Sequence, residues 1–200
     1  MDTIRALLGA HDSDRPAIGA PDRDWMTYGG LRALTDEVAA TLHAAGIGRG
    51  DRVAIVLPNG PEMAAAFVTV AQSATTAPLN PAYQEDEFAF YLDDLKARAI
   101  VLEAGYDGPA RVVADRLGLT VLTVETDPAR PAGTFTLKAE PVATPAADDL
   151  PEPSDVALIL HTSGTTSRPK IVPLLQSNVA ASAQNIVASL DLTPDDRCLN

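Results

Sequence analysis

Between positions 161 and 170 the chain reads His161-Thr162-Ser163-Gly164-Thr165-Thr166-Ser167-Arg168-Pro169-Lys170. Hydroxyl side chains and free backbone N–H groups donate hydrogen bonds to phosphate oxygens, and Gly164 lets the backbone turn without a Cβ in the way. Lys170 supplies a compact positive charge and Arg168 a forked one. Pro169 and Pro173 keep the segment from winding straight into a helix. Together these are the donors and cations that a polyphosphate requires.

Three simpler explanations compete. A Walker A loop needs Gly-Lys followed by Ser or Thr, but Pro169 precedes Lys170 and Ile171 follows it. A nucleophile elbow needs glycine two residues before its serine, and His161 stands there relative to Ser163. A Ser/Thr-rich surface turn accounts for single hydroxyls, though not for the whole ordered string.

The elements around this segment are legible from periodicity. Asp155–Leu160 is a short apolar run that reads as a buried strand, and a helix pattern runs from about Ser177 to Leu190, with Val179, Ala183, Ile186, Val187 and Leu190 on one face. Upstream, a short amphipathic helix carries Ile4, Leu7 and Leu8. A longer helix carries Leu31, Leu34, Val38, Leu42 and Ala45, starting near Thr27 or Tyr28 and ending at Gly46. Strands are expected at Arg52–Leu57, Thr75–Leu79, Ala99–Leu102 and Thr120–Val124. Helices are expected from Pro61 to Ser73, Gln84 to Lys96 and Gly108 to Leu117. Such alternation predicts an α/β fold, with βαβ crossovers on a parallel sheet and helices on both faces. Residues 126–154 carry Pro128, Pro131, Pro141, Pro145, Pro151 and Pro153. They read as a Pro-rich surface connection with at most one short strand, Thr134–Leu137. A last strand is expected from Arg197, with Cys198 buried at its head.

Other candidate sites reduce to structure. His11-Asp12-Ser13-Asp14 lacks further ligands at metal spacing and reads as a polar loop. Gly46-Ile47-Gly48-Arg49-Gly50 lies between helix and strand, the wrong side for a pyrophosphate cradle. Glu85, Asp86 and Glu87 suit the positive end of a helix, and Phe88, Tyr91, Leu92 and Leu95 form its core stripe. His43 reads as a surface residue on a helix flank, and no metal site or catalytic residue is assigned.

Composition narrows the partners. A hydrophobic content of 46% belongs to an ordinary globular chain, and no apolar run reaches membrane-spanning length. The net charge of −12 argues against nucleic acid or an anionic membrane as a partner, so an anionic ligand requires a local positive site. With no secretory pattern at the N-terminus and Cys198 alone, the expected setting is cytoplasmic.

The string Thr162–Lys170 resembles the phosphate-binding signature of the adenylate-forming superfamily: the AMP-forming acyl-CoA synthetases, luciferases and peptide-synthetase adenylation domains. With Val172-Pro173-Leu174 it is most similar to the oxalate–CoA ligase branch. Gly50–Ala54, Leu57-Pro58-Asn59, Ala77–Tyr83 and Phe88–Asp93 resemble that family's N-terminal landmarks, in order, across nearly the whole chain. Ser167 stands where glycine is usual, Ile171 replaces a glycine, and Ser73-Ala74-Thr75-Thr76 lacks the glycine usual before its strand.

The resemblance implies that residues 1–200 are the N-terminal portion of one AMP-binding large domain. Its substrates would be ATP with Mg2+, CoA, and a carboxylic acid: oxalate or another short acid, or alternatively a fatty acid. It assigns the phosphates to Thr162, Ser163, Gly164, Thr165, Thr166 and Lys170, with Ser167 and Arg168 supporting the loop. The family's metal-binding segments, acyl pocket and catalytic lysine would lie beyond Asn200 in a missing C-terminal part, so the isolated chain is expected to be inactive. The alternatives are a non-catalytic nucleotide-binding module and a structural or interaction fragment with an open sheet edge.

Overall fold

The computed structural model of the protein describes residues 1–162 and 169–199. Its elements in chain order are α1 (Ile4–Gly9), β1 (Pro16–Ala20), β2 (Arg23–Thr27), α2 (Tyr28–Ala44), β3 (Arg52–Val56), α3 (Pro61–Val70), β4 (Thr75–Pro78), α4 (Glu85–Leu95), β5 (Ala99–Glu103), α5 (Pro109–Leu117), β6 (Thr120–Thr126), β7 (Phe135–Lys138), β8 (Val156–Thr162), β9 (Lys170–Leu175) and α6 (Gln176–Ser189).

The β3 sequence Val53-Ala54-Ile55-Val56 is apolar at every position, which suits a strand covered on both faces. Val53 and Ile55 face one layer with Val101, Leu122 and Phe135, against Leu34, Val38 and Leu42 of α2 and Ala65, Ala66 and Val70 of α3. Ala54 and Val56 face the other with Ile100 and Leu102, against Phe88, Leu92 and Leu95 of α4 and Val113 and Ala114 of α5. The two-residue alternation of each strand thus builds two separate cores.

Among the described residues the main sheet runs β7-β6-β5-β3-β4-β8-β9. The five central strands are parallel, as the βαβ pattern predicts, while β7 and β9 pair antiparallel at the two edges. The sheet is therefore mixed rather than parallel throughout. The β1–β2 hairpin forms a sheet of its own where only a connection was expected.

Local signals set the helix ends. The Thr27 side chain accepts from Gly30 N at 3.1 Å, capping α2. Gly46, at φ +75°, closes the far end, and a Cβ there would also lie 2.9 Å from Val142. Glu87 accepts from Gln84 N at 2.9 Å, so one of the three acids at the start of α4 closes that helix.

The expectations for the C-terminal strand with Cys198 and for His43 are corrected. Residues 197–199 form no strand and Cys198 is exposed. The His43 side chain is only 12% exposed and lies 3.5 Å from Asp148. Within 126–154, Ala132, Phe135 and Leu137 are buried, and Val142 N and Ala146 N donate to Ala44 O and His43 O. The stretch therefore completes one core and lies across the end of α2.

Candidate functional site

Parallel α/β sheets offer ligand sites beyond the carboxyl ends of their strands. Here that edge carries Leu57-Pro58-Asn59 after β3, the Asn80-Pro81 turn after β4, and the outer end of the β8–β9 hairpin. Asn80 Oδ1 accepts from Ala82 N at 3.0 Å, which fixes the turn leading to Tyr83 and α4.

The base of β8 is secured by hydroxyls. Thr75 Oγ1 donates to Val156 O at 2.7 Å and Thr76 Oγ1 to Ala157 O at 2.8 Å. The ladder between β4 and β8 registers only Thr76 with Leu158, so these side-chain bonds stand in for a longer ladder. They also give a use to two residues in the segment where the sequence departs from the family's glycine. Just before β8, Asp155 receives Arg49 in a two-pronged contact at 2.6 and 3.0 Å. The Arg49 hydrogen bond, aided by Glu152 N, holds the Asp155 carboxyl below its ordinary range.

The last residues of β8, His161 and Thr162, reach past the end of β4, and His161 is held from α4. Tyr91 and Asp94 lie three residues apart on that helix, hence on one face. Asp94 Oδ2 is 3.1 Å from His161 Nε2, and the Tyr91 and His161 rings meet edge to face with centres 4.7 Å apart. Tyr91 in turn stacks on Tyr83, with ring centres 4.8 Å apart. The hydrogen bond to Tyr91, and then burial, push the Tyr83 phenol up to about 12. The His161 side chain is 6% exposed, and next to it Thr162 is exposed at the outer end of the hairpin.

Thr162 pairs directly with Lys170, also exposed, so the structure brings the first and last of the sequence-derived phosphate residues face to face. Ser163, Gly164, Thr165, Thr166, Ser167 and Arg168 lie outside the described residues. Among the described residues no three His, Cys, Asp or Glu side chains gather as a metal site. Sequence reasoning missed Asp94. A signal existed: Asp93 and Asp94 close α4, where the macrodipole disfavours acids, so each needs a partner. Lys96 at 3.0 Å serves Asp93 and His161 serves Asp94.

The mostly parallel sheet with helices on both faces is the fold of adenylate-forming enzymes. A structure of ATP-bound MatB from Rhodopseudomonas palustris superposes with a TM-score of 0.78 at 29% identity, covering 98% of this chain and 39% of that one. A probable CoA ligase, CCL9, of Humulus lupulus is 40% identical over 97% of this chain, and an oxalate–CoA ligase of Arabidopsis thaliana is 38% identical over 98%. The AMP-binding enzyme family profile matches residues 8–200, and the chain belongs to that family. It spans 38% and 39% of the lengths of those two relatives.

Proposed function

We propose that residues 1–200 supply the N-terminal portion of a single AMP-binding domain of an AMP-forming acid–CoA ligase, with 126–154 a crossing inside that domain. In the complete reaction a carboxylate oxygen attacks the α-phosphorus of ATP, the bond to pyrophosphate breaks, and an acyl-adenylate forms. The CoA thiolate then displaces AMP.

Within this chain, Thr162, Ser163, Gly164, Thr165, Thr166 and Lys170 hold the β- and γ-phosphates, with Ser167 and Arg168 supporting them. Their donors offset charge on the departing pyrophosphate, the part of the step that a carboxylate meeting a polyanion makes costly. Mg2+ suits this scheme as an ion that enters with the ATP phosphates, its protein ligands belonging to the further segments that the resemblance implies. Oxalate or a related short acid is the favoured substrate, supported by the spelling of the hairpin and by oxalate–CoA ligases of Arabidopsis thaliana and Saccharomyces cerevisiae among the relatives. A fatty acid is the second choice, since a long-chain-fatty-acid–CoA ligase of Mycobacterium tuberculosis is 32% identical. A cytoplasmic setting fits the single cysteine.

The reading is carried by the ordered 161–170 sequence string, of which Thr162 and Lys170 stand opposite each other at the carboxyl edge of the sheet. The test is paired. Calorimetric titration of the 200-residue chain with Mg-ATP should show binding, and acid-dependent ATP–pyrophosphate exchange should be absent. Exchange by the chain alone would overturn the assignment of catalysis to further residues.

An interaction fragment is the second reading, favoured by the exposure of Ile186 and Val187 on α6 and of Leu190 just after it. It predicts no Mg-ATP binding and self-association instead.

A further inference from the structure

The β8–β9 hairpin is secured unevenly. Its base has the Thr75 and Thr76 hydroxyl bonds, the Thr76–Leu158 register and buried Ile159. Beyond Leu158, β8 and β9 pair with each other, and no further register pair with β4 is made. Among the described residues, the contact between His161 Nε2 and Asp94 Oδ2 at 3.1 Å is the one side-chain hydrogen bond from the body of the molecule to this outer half. It is reinforced by the Tyr91 ring, itself stacked on Tyr83. His161 adjoins Thr162, and its cross-strand partner Ile171 adjoins Lys170.

We infer that His161 is a positioning residue: tied to Asp94 and packed on Tyr91, it sets the outer end of the hairpin so that Thr162 and Lys170 stand where a nucleotide's phosphates are received. This rests on the reading that the 162–170 segment binds those phosphates. The chemistry is that of an anchor. With the Asp94 oxygen accepting, the contact requires a proton on His161 Nε2, and such a bond fixes the ring's rotation. Because the ring is almost wholly buried, its orientation is transmitted to the backbone of β8 rather than absorbed by free rotation. The two acids ending α4 are explained at the same time, since Asp94 is retained against the helix dipole by its contact with His161.

The test uses the 200-residue chain with Asp94→Ala, Asp94→Asn, and Asp93→Ala as a control that removes only the exposed contact with Lys96. Amide hydrogen exchange, the ring-nitrogen spectrum of the histidines, and the Mg-ATP dissociation constant are read together. In the unaltered chain His161 shows the Nε2–H tautomer. With Asp94→Ala, amides in 160–162 and 170–172 exchange about tenfold faster, the low end for losing a hydrogen bond to a charged group. Amides of β3 and β5 are unchanged. Mg-ATP binding weakens by about the same factor.

Asp94→Asn keeps an acceptor and restores most of both effects, and Asp93→Ala alters neither. His161→Phe keeps the ring contact with Tyr91 and reproduces Asp94→Ala. Unaltered hairpin exchange in Asp94→Ala refutes the inference alone. So does a uniform rise that includes β3 and β5, or faster hairpin exchange with unchanged Mg-ATP affinity. An unaltered chain with no Mg-ATP affinity removes the phosphate reading and this inference with it.

Discussion

Gln176 Nε2 donates to Ala71 O at 2.6 Å across 105 residues of sequence. The same side chain accepts from Ile4 N at 3.1 Å and is fully buried. Ile4 opens α1 and Ala71 follows α3, so both partners are helix-end groups with no intrahelical mate. One amide thus joins the starts of α1 and α6 to the end of α3. Gln176→Ala strands both groups in the interior and should cost about 3 kcal/mol. Urea denaturation checks this, and a loss under about 0.5 kcal/mol would mean the two groups find other partners.

Much of this frame was legible because its signals are local. Pro61, Gly46 and the Val53–Val56 run each specify an element without reference to distant residues. What was missed depends on pairing. β9 contains Pro173, which reads as a breaker, yet β9 is an edge strand where a missing N–H is tolerated. β1 and β2 are short and turn through Asp22 at φ +59°, leaving too little alternation to register. His43 looked like a surface residue because Asp148, which covers it, lies over a hundred residues away. The periodicity of α6 marked an apolar stripe, yet the helix buries Gln176 and Ala180, while Ile186, Val187 and the following Leu190 stay exposed. At the site, the phosphate string was legible by spelling, while the Asp94–His161 tie required the fold.

The Arg49–Asp155 contact predicts a pH dependence. Asp155 is held below its ordinary value when folded, so its contribution is present above the unfolded carboxylate value of about 3.9. It is lost as pH falls through the folded value. Thermal melts of wild type and Asp155→Asn should therefore differ at neutral pH, begin to converge below about pH 3.9 and meet below the folded value. A constant gap down to strong acid would contradict this account of Asp155.

Tyr83 gives the opposite sign. Its phenol is pushed up to about 12, so the neutral form is favoured by folding, and that stabilisation is present below about 10 and lost as pH rises through the folded value. Ultraviolet titration should leave at least one tyrosine protonated at about pH 11, and Tyr91→Phe should return Tyr83 toward about 10. A late-titrating tyrosine that persists unmoved in Tyr91→Phe would remove Tyr91 as the cause.

The central claim is that the outer end of the β8–β9 hairpin receives the phosphates of ATP. Its most direct test is the calorimetric Mg-ATP dissociation constant of the unaltered chain beside Lys170→Ala. Loss of one charge-assisted contact predicts binding weakened about ten- to a hundredfold. Equal affinity in the two proteins would contradict the claim.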